Sequence, residues 1–379
     1  MVRKILFFTL GDPTSASTWS NIPFLLAKTL EERGVELVRV NLLNARLDWI
    51  YNHTIRLFLR LLLLPFHTQG VYFPYTQWEK IYAEHLIRKV VRTHSDADYC
   101  IFINYLFYNK WNAIPSLLLS DWTQLLYRQR QGLKTERLQR RCDRQEREAV
   151  THARHVVTIF ESCASELRHL YPKAQIDFLG GNVINNFYTK KIEAQEVIAK
   201  KKKSHKLLIV AKPDRYKEST LLTIGAFLLL REKDPRYELH IVGSSQRDLG
   251  AVPDGVFCHG YLHKDKKEEN EIFYGLLLNA RVVINVTPKW AAYSSLIEAM
   301  YFYTPVLCSP FKQFVDEFGA SIDFGSYNSE YSPQGVARDL EAIINSNRYD
   351  SLCMAAHNRV KDYTWEKYVD KLITLIEEK

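Results

Sequence analysis

Residues 285–307, NVTPKWAAYSSLIEAMYFYTPVL, carry one acidic side chain, Glu298, in a segment that is otherwise largely apolar. A strand-like run, Val282–Val286, precedes its helical part, and a second, Pro305–Cys308, follows it. This order of strand, helix and strand is typical of a parallel α/β sheet. Two interpretations of Glu298 stay open: a capping box with Ser295, or a carboxylate that accepts hydrogen bonds from the vicinal hydroxyls of a ribose.

The same alternation of strand-like and helical segments continues along the whole chain. The further strand-like runs are Lys4–Leu10, Val35–Leu42, Tyr99–Asn104, Ser116–Leu119, His155–Ile159, Ile176–Leu179, Leu207–Ala211, Glu238–Val242 and Val256–Tyr261. The clearest helical segments are Asn21–Arg33, Gln77–His94, Leu133–His152 and Thr220–Lys233. We therefore predict an α/β protein with two doubly wound, Rossmann-like domains that face a cleft, because open α/β sheets bind ligands at the carboxyl ends of their strands.

The pattern also predicts where the domains begin and end. The N-terminal domain covers residues 1–184 and the C-terminal domain covers residues 206–362. A linker over residues 185–205, with or without a short helix, joins them, and its four consecutive lysines, at 200–203, are interpreted as a solvated loop. The amphipathic tail, residues 363–379, is predicted to form a helix that packs back toward the N-terminal domain.

Composition and charge limit the class of protein. The chain has 379 residues, enough for two domains of ordinary size, and a formal net charge of +8. That charge suits an anionic partner such as nucleotide phosphates, an acidic membrane surface or nucleic acid. The basic residues near Arg128–Arg147 alternate with acidic ones and lack interleaved aromatic residues, which is typical of a solvated helix and disfavours nucleic-acid binding.

The cysteines and the first residues bear on the cellular compartment. The six cysteines form no C-x-x-C pair, and Cys100, Cys258 and Cys308 lie in apolar, strand-like runs, so we expect reduced thiols rather than a disulfide framework or a zinc site. The start, MVRKILFFTLGDP, has too short an apolar run for a signal peptide and is interpreted as a first strand. These features predict a cytoplasmic protein.

A basic cluster follows the first strand of the predicted C-terminal domain. Residues 207–219, LLIVAKPDRYKES, place Lys212, Arg215 and Lys217 in the turn between a strand and a helix. Cations there can neutralise a diphosphate, and the start of the helix offers free N–H groups to the same ligand. An ordinary polar loop is the alternative interpretation.

Together these stretches resemble one family. AKPDRYK at 211–217, HGYL at 259–262, SSLIEAMYFYTPVL at 294–307 and YTWEKYVDKL at 363–372 follow the order seen in GT-B glycosyltransferases of the family-4 type, also called glycosyl transferases group 1. Near the start, RKILFFTLGDP is similar to the family's opening strand, and FLGGNVINNFY at 178–188 to its strand before the hinge. The resemblance is strong over about Leu207–Val306 and weak over about Asn44–Leu119.

The resemblance implies a nucleotide-sugar site in the C-terminal domain. Lys212 and Lys217 match the diphosphate-binding and catalytic positions, with lysine replacing the usual arginine at Lys212, and Glu298 matches the glutamate that holds the ribose. The other matching residues are Arg215 beside the diphosphate, Gly260, Tyr261 and Leu262 beside the base, and Tyr293, Ser294 and Ser295 as N–H donors to the phosphates.

Three positions depart from the family pattern. The first motif glutamate is replaced by Trp290, which would lie beside the donor sugar, and the usual glycine of the G-x-P-V motif is Tyr303. In the N-terminal domain, the acceptor side of the family, a His-Asp pair is replaced by Ser120 and Asp121. Asp121 is the remaining candidate for catalysis there.

What the resemblance implies is a metal-independent, retaining glycosyltransferase. It would move a sugar from a nucleotide-diphosphate sugar to a glycan or lipid-linked glycan in the synthesis of a cell-surface polysaccharide such as lipopolysaccharide, capsule or O-antigen. No other cofactor is implied. The alternatives are a nucleotide-sugar epimerase of the same fold and a non-catalytic subunit that binds a sugar nucleotide.

Two further segments have more than one interpretation. The loop GDPTSASTWSN after the first strand, with Gly11, Asp12, Ser15 and Ser17, is expected to lie at the edge of the cleft and to contact substrate, or else to be a solvated loop. The Leu-rich run Leu57–Phe66, beside Arg56, is either an interfacial helix on an anionic membrane or a buried packing helix.

Overall fold

The computed structural model describes residues 2–56, 58, 76–130, 132, 139–180, 183–287 and 293–378. The chain forms two compact units, Met1–Gly181 with Trp365–Lys379, and Asn182–Thr364. Within the described residues, no helix has both the length and the apolar character needed to cross a bilayer.

The N-terminal unit is built on a sheet of six parallel strands in the order β2-β1-β3-β4-β5-β6. The strands are β1 (Lys4–Thr9), β2 (Glu36–Asn41), β3 (Tyr99–Ile103), β4 (Ser116–Ser120), β5 (His155–Thr158) and β6 (Ile176–Asp177). The helices are α1 (Ile22–Glu32), α2 (Ala45–Ile50), α3 (Gln77–Thr93), α4 (Gln124–Arg130), α5 (Gln139–His152) and α6 (Glu161–Leu170), with a π-helical turn at Tyr51–Ile55.

The C-terminal unit contains a second sheet of six parallel strands, in the order β12-β11-β10-β7-β8-β9. Its strands are β7 (Lys206–Val210), β8 (Glu238–Val242), β9 (Val256–Gly260), β10 (Val282–Asn285), β11 (Val306–Cys308) and β12 (Gly325–Tyr327). Its helices are α7 (Ala194–Lys203), α8 (Pro213–Lys233), α9 (Gln246–Leu249), α10 (Lys267–Asn279), α11 (Ser294–Tyr301), α12 (Lys312–Phe318), α13 (Pro333–Ile344) and α14 (Tyr349–Val360).

The central strands are apolar along their whole length because helices cover both faces of a parallel sheet. All five residues of β3 are buried, and so are those of β5. In the N-terminal core the rings of Phe8 and Phe102 on neighbouring strands stack with centroids 4.6 Å apart. Side chains of β7, β8 and β10 pack in the C-terminal core against α8 and α13, with Phe227 at 0% exposure.

The predicted α/β class with two doubly wound sheets is confirmed. Every strand-like run named from the sequence contains or overlaps a strand, whereas β12 was not predicted, because it is three residues long and partly exposed. The predicted helix Leu133–His152 is described from Gln139 onward, and the start of that prediction lies outside the described residues.

The tail forms α15 (Trp365–Glu377) and packs in the N-terminal unit. The Arg33 guanidinium at the end of α1 pairs with Asp370 at 2.7 Å, and Lys371 donates to the carbonyl oxygen of Leu179 at 2.9 Å. Trp365, Tyr368 and Leu372 are buried, so the apolar face of the helix belongs to the core of this unit.

The lysine run at 200–203 ends the helix α7, which agrees with a short helix in this region and corrects the interpretation of the run as a solvated loop. Lys200 and Lys202 are exposed and pair with Glu196 and Asp350, but the side chain of Lys201 is fully buried. The Lys201 ammonium donates to the carbonyl oxygens of Leu277 and Ala280 and to the Thr304 hydroxyl, at 2.8 Å for the last. Lys201 thus fixes α7 to the end of α10, and residues expected in the linker belong to the C-terminal unit.

We predict that Lys201→Met destabilises the protein and that Lys202→Met, its matched control, has little effect. The first change leaves buried acceptors without a donor, which costs about 1–3 kcal/mol for each group. The second removes an exposed ion pair worth roughly 1 kcal/mol or less. Urea denaturation of both variants measures the difference, and equal stability of the two would contradict the buried position of Lys201.

The contribution of Lys201 should also depend on pH. Burial lowers its pKa from 10.5 to about 7 in the folded state, so the unfolded chain binds more protons between these two values. The stability of the wild type relative to Lys201→Met should therefore increase as the pH rises from about 7 to 9. A difference that stays constant over this range would mean that the ammonium remains charged in the fold.

Candidate functional site

The strand order of the C-terminal sheet reverses between β7 and β10, and in open α/β sheets ligands bind at the carboxyl ends of the strands beside such a reversal. Lys212 lies two residues after β7, and Thr287 lies two residues after β10. The hydroxyls of Ser219 on α8 and Thr287 are 3.0 Å apart, which fixes the start of α8 beside the end of β10. The topology of the sheet therefore places Lys212 beside this reversal of strand order, which is the switch point of the sheet.

The basic cluster lies at the start of α8. Lys212 is the residue that precedes the helix, in an extended conformation, and Arg215 and Lys217 lie in its first two turns. All three side chains are exposed. The helix has 21 residues, and its unpaired N–H groups and macrodipole make this end favourable for negative charge. The structure thus brings these three predicted residues together at one helix start.

Two glycines hold the neighbouring strand ends close together. Gly243, after β8, has φ of +96°, and a Cβ there would lie 2.7 Å from the carbonyl oxygen of Ala211. Its N–H donates to the carbonyl of Gly260 at 2.6 Å, while the Gly260 N–H donates to that of Ser244 at 3.0 Å. Gly260 and Tyr261, the latter 47% exposed, are therefore fixed at the same sheet edge as Lys212, and Leu262 beside them is partly buried.

Glu298 is buried within α11, at 5% exposure. Both of its carboxylate oxygens accept from the Lys264 ammonium, at 2.6 and 2.5 Å, and one is 3.4 Å from the hydroxyl of Tyr274. Burial raises the pKa of Glu298, and the adjacent Lys264 opposes this shift. The carboxylate therefore forms a buried ion pair.

This ion pair is part of a larger polar network. Lys264 also donates to the carbonyl oxygen of Asn185 at 3.1 Å, and its ammonium lies 4.6 Å from the ring centroid of Phe273. The Tyr274 hydroxyl accepts from the N–H of Phe187 at 2.7 Å. The network joins α11, α10 and the loop after β9 to residues 185–187, so Glu298 has a structural role whatever else it binds.

The capping-box interpretation of Glu298 is wrong. Helix α11 begins at Ser294 and has no side-chain cap, so Ser295 lies inside the first turn and the carboxylate of Glu298 bonds to Lys264 instead. The Tyr293 side chain is buried against the rings of Phe314 and Phe318, so the predicted phosphate contact of Tyr293, like that of Ser294 and Ser295, would be made by its backbone N–H. Trp290 lies outside the described residues.

Sequence reasoning missed Lys264. It is one of three lysines, at 264, 266 and 267, in the polar sequence HKDKKEE (263–269) after β9, and its spacing does not distinguish it from the other two. Lys266 is exposed and pairs with Glu269 at 3.0 Å, whereas the side chain of Lys264 is 12% exposed. Only the fold distinguishes the buried cation from its neighbours.

The N-terminal unit has a cavity of about 350 Å³ at the corresponding edge of its own sheet. The order of that sheet reverses between β1 and β3, and the cavity lies at the ends of β1, β3 and β4. The described lining residues are Thr9, Leu10, Thr18, Trp19, Pro23, Leu43, Ile103, Asn104, Tyr105, Leu106, Ser120, Asp121, Trp122, Gln124 and Glu146. The candidate Asp121, which follows β4, thus lines this cavity next to the reversal of strand order.

Glu146 is a functional candidate that the sequence did not indicate. It lies on α5, is 3% exposed, and accepts from the N–H of Gln124 through both oxygens, at 3.1 and 2.9 Å. Burial raises the pKa of its carboxyl to about 8. Because it bonds to the start of α4, Glu146 positions the loop that carries Asp121 and Trp122.

Several polar groups of the predicted loop after β1 form hydrogen bonds with one another. The Asp12 carboxylate accepts from the N–H and hydroxyl of Thr14, at 2.8 and 2.7 Å, and the hydroxyls of Ser15 and Ser17 are 2.8 Å apart. Gly11 has φ of +122° and donates to the Asn41 side chain at 3.0 Å. The described cavity lining begins after this loop, at Thr18, so a substrate contact of the four loop residues stays a prediction.

A metal site was not expected. Among the residues that the structure describes, no three or more histidine, cysteine, aspartate or glutamate side chains are grouped to hold a metal ion. All six cysteines are free thiols, and Cys258 is the least buried of them.

No family model and no curated protein matches the sequence of the chain. Solved structures do match its fold. A sucrose-phosphate synthase from Thermosynechococcus elongatus is 15% identical with a TM-score of 0.65, and covers 98% of both chains. WaaG, a glycosyltransferase involved in lipopolysaccharide biosynthesis, is 12% identical with a TM-score of 0.65, over 99% of this chain and 100% of its own.

TarM gives a third match, with 14% identity and a TM-score of 0.56, over 78% of this chain. The match spans only 58% of TarM, so this chain corresponds to a little over half of that protein. A mutant of S. aureus TarM in complex with UDP and α-GlcNAc-glycerol matches with a TM-score of 0.54 and 15% identity. Together with the two six-stranded parallel sheets, these likenesses show that the chain has the GT-B fold of glycosyltransferases, similar to that of group 1.

Proposed function

We propose that this protein is a metal-independent, retaining glycosyltransferase that uses a nucleotide-diphosphate sugar. Its acceptor is a glycan or lipid-linked glycan in the synthesis of a cell-surface polysaccharide. The observation that carries the proposal is the placement of Lys212, Arg215 and Lys217 at the start of α8, beside the switch point of the C-terminal sheet. Cations at a helix start beside a switch point suit a diphosphate.

The likenesses in fold support the same proposal. UDP is bound in the matching TarM complex, and WaaG acts in lipopolysaccharide biosynthesis. In this chain, the diphosphate would lie at Lys212, Lys217 and the backbone N–H groups of Tyr293–Ser295, and the base would lie beside Gly260–Leu262. The ribose hydroxyls would donate to Glu298, whose carboxylate oxygens can accept from hydroxyls as well as from Lys264.

The proposed chemistry needs no enzyme nucleophile. The bond between the anomeric carbon and the diphosphate oxygen breaks, and the acceptor hydroxyl forms a new bond to the same carbon on the same face. The proton of that hydroxyl passes to the departing phosphate oxygen. Lys212, Lys217 and backbone N–H groups stabilise the negative charge that develops on the diphosphate, which is where fixed positive charge lowers the barrier.

The experiment that tests this function is a transfer assay with a panel of sugar nucleotides, first screened by thermal shift because a specific ligand raises apparent stability. We expect one donor class to stabilise the protein and transfer to continue in EDTA. Loss of transfer in EDTA that Mn²⁺ or Mg²⁺ restores would contradict the metal-independent mechanism. Release of a changed sugar nucleotide without any acceptor would instead identify an epimerase.

Lys212→Ala and Lys217→Ala should each weaken binding of the nucleoside diphosphate. A charge-assisted contact is worth roughly 1.5–3 kcal/mol, which corresponds to a loss in affinity of about 10- to 150-fold. Lys233→Ala is the matched control, because Lys233 lies at the other end of the same helix and pairs with Glu341. Calorimetric titration measures all three, and unchanged affinity in both site variants would remove these lysines from the site.

Glu298→Gln should lower both stability and nucleotide binding, and a second substitution separates the two effects. The single change leaves the Lys264 ammonium buried without its carboxylate, and breaking a buried pair costs about 3–5 kcal/mol. Adding Lys264→Met removes the unpaired charge, so the double variant should recover most of the lost melting temperature. Its nucleotide binding should stay weak because the ribose still lacks its carboxylate.

The double variant decides between the two roles of Glu298. If the double variant binds nucleotide as the wild type does, Glu298 serves the fold alone. Lys266→Met is the control for Lys264→Met, since it removes an exposed cation from the same loop and should change neither melting temperature nor affinity.

We also propose a cytoplasmic location with contact to the anionic inner face of the membrane. The Leu57–Phe66 segment lies outside the described residues except for Phe58, which is exposed. The four most exposed large apolar side chains in the described residues, at 59–64% exposure, are Trp49, Phe58, Trp78 and Ile81. Asn44 at the start of α2 donates to Glu79 in α3 at 3.2 Å, so the helices of Trp49 and Trp78 are neighbours.

Basic side chains accompany these apolar residues. They are Arg46, His53, Arg56, His85, Arg88, Lys89 and Arg92, all on α2, α3 or the adjoining turns. A surface that combines exposed aromatic residues with cations suits the interface of an anionic bilayer.

The protein should sediment with anionic vesicles at low salt and less at high salt, because salt screens exposed charges. Ile81→Glu should reduce sedimentation strongly. Its matched control is Ile272→Glu, which places the same charge at an exposed isoleucine of the C-terminal unit and should have little effect. Equal binding to neutral and anionic vesicles, or equal loss in both variants, would contradict a basic membrane-binding surface on α2 and α3.

A further inference from the structure

Helix α5 separates its acidic residues from its arginines, although the two alternate in the sequence. The Asp143 carboxylate pairs with the Arg128 guanidinium of α4, and the buried Glu146 accepts from a backbone N–H at the start of α4. Glu148, which is exposed, accepts from the Tyr108 hydroxyl at 3.2 Å. The acids of α5 therefore bond to neighbouring segments, and within this helix, which is described from end to end, none forms an ion pair with an arginine.

Three arginines of α5 lie together on the side of the helix that faces away from the sheet. The opposite side, with Ala149 and Val150, is buried in the core against the strands. Arg140, Arg144 and Arg147 recur after four and three residues, which places them within an arc of about 60° and along about 10 Å of helix. All three are exposed. We call these three residues the arginine crest.

The arginine crest has no counter-charge of its own. Among the residues that the structure describes, none of the three guanidinium groups forms an ion pair. Exposed cations that are not neutralised raise the local positive potential and attract anions. The alternation of charge in the sequence, which indicated a solvated helix, therefore does not describe the outward side of α5.

A polar cavity of about 470 Å³ lies beyond the end of α5. Its described lining includes His152, Arg154 and Lys173, and contains neither a carboxyl group nor the ring of a phenylalanine, tyrosine or tryptophan. Arg154 and Lys173 are exposed and form no ion pair with a described residue. His152 follows Arg147 by five residues, or about 7 Å of helix rise, so the cations of the cavity begin where the crest ends.

Backbone hydrogen bonds hold the wall of this polar cavity in place. The N–H of Asn109 donates to the Ser116 hydroxyl at 2.9 Å, and the N–H of Arg154 donates to the Ser116 carbonyl at 2.9 Å. The carbonyl of Gln175 accepts from the N–H of Val156, also at 2.9 Å. The side chain of Gln175 is exposed. A fixed, concave wall of cations and amides suits the carboxylates and hydroxyls of a saccharide.

We propose that the arginine crest and the polar cavity bind a linear anionic polysaccharide, a glycan chain with repeated carboxylate or phosphate groups. The planar guanidinium groups of the crest can bind such an anion through two parallel hydrogen bonds, which an ammonium group cannot do. The cavity holds the segment of the chain that extends past the crest. This site goes beyond the proposed transferase function and does not depend on it.

Two other polyanions fit this surface less well. Single-stranded nucleic acids bind through aromatic side chains on which their bases stack, and neither the crest nor the described lining of the cavity has a phenylalanine, tyrosine or tryptophan. An anionic membrane favours a surface that combines cations with exposed apolar side chains, as α3 does with Trp78 and Ile81. The crest consists of arginine alone.

The test measures binding of end-labelled anionic oligosaccharides to the full-length protein by fluorescence anisotropy, without any donor. Oligogalacturonates supply carboxylates and phosphorylated dextran fragments supply phosphates, each as dimers, tetramers and octamers. In at least one series the affinity should rise with length and fall with added salt, and the uncharged octamer, methyl-esterified or unphosphorylated, should bind at least tenfold more weakly. Binding that does not depend on length or charge, or no binding in either series, overturns the proposal.

A triple variant of the crest locates the site. Arg140→Gln, Arg144→Gln and Arg147→Gln together should weaken binding of the charged octamer at least tenfold, because three exposed cation contacts are lost. The melting temperature should stay near that of the wild type, since the three side chains are exposed and unpaired among the described residues. Unchanged affinity in this variant overturns the proposal.

The matched control removes the same charge from the neighbouring helix α3, where three exposed cations likewise form no ion pair with a described residue. Its substitutions are Arg88→Gln, Lys89→Gln and Arg92→Gln. The control should change the affinity for the charged octamer less than twofold. Equal weakening in the two triple variants would mean that net charge, rather than the crest, attracts the glycan, and overturns the proposal.

Membranes and nucleic acids provide the opposite comparison. The crest variant should sediment with anionic vesicles as the wild type does, whereas the α3 variant should sediment less, because its cations belong to the proposed membrane surface. If the crest variant instead loses binding to vesicles or to a duplex oligonucleotide, and the anionic oligosaccharides do not bind the wild type, the crest serves another partner and the glycan proposal is wrong.

A double variant tests the polar cavity. Arg154→Gln with Lys173→Gln should weaken binding of the charged octamer at least threefold, and its control, Lys190→Gln with Lys203→Gln, removes two exposed cations of the C-terminal unit and should have no effect. Equal results for the two would remove the cavity from the site. Sugar-nucleotide binding should be unchanged in the crest variant, so a failure of this proposal is distinguishable from a failure of the proposed transferase function.

Discussion

The parallel alignment of every strand in both sheets is the constraint on which the rest of the structure depends. Parallel strands can be joined only through crossover connections, which cover the sheet faces with helices and require strands that are apolar on both sides. The same alignment brings all carboxyl ends to one edge of each sheet. Lys212 after β7 and Asp121 after β4 therefore lie at the carboxyl-end edges of their sheets because of topology, although they are distant in sequence.

The carboxyl-end edges of the two sheets present different side chains. The edge of the C-terminal sheet presents lysines at the start of a 21-residue helix, where the helix itself favours anions. The described cavity of the N-terminal sheet presents carboxyl groups instead. One chain of net positive charge thus presents exposed cations at the edge of one sheet and carboxyl-bearing side chains at the cavity of the other.

Two buried amines hold the start of the C-terminal unit to its core by different means. Lys201 donates to neutral acceptors, two carbonyls and a hydroxyl, and burial lowers its pKa. Lys264 faces the carboxylate of Glu298 and also binds the carbonyl of Asn185. Residues 185–203, which looked like a linker because of their charge, are therefore anchored within the unit by lysines.

The sequence by itself determined the fold class, nearly all strands and the basic cluster at 212–217, because hydrophobic periodicity and strand-turn-helix signals are local and need no partner. It also placed Glu298 in a helix between two strands, but it did not choose between a capping role and a ligand role. Only the tertiary structure decided that Glu298 pairs with Lys264, that Lys201 alone of four consecutive lysines is buried, and that Glu146 lies at the cavity. These choices depend on contacts between residues 22 to 103 positions apart, and a lysine or glutamate in a polar segment carries the same local signal whether its partner is water or a buried group.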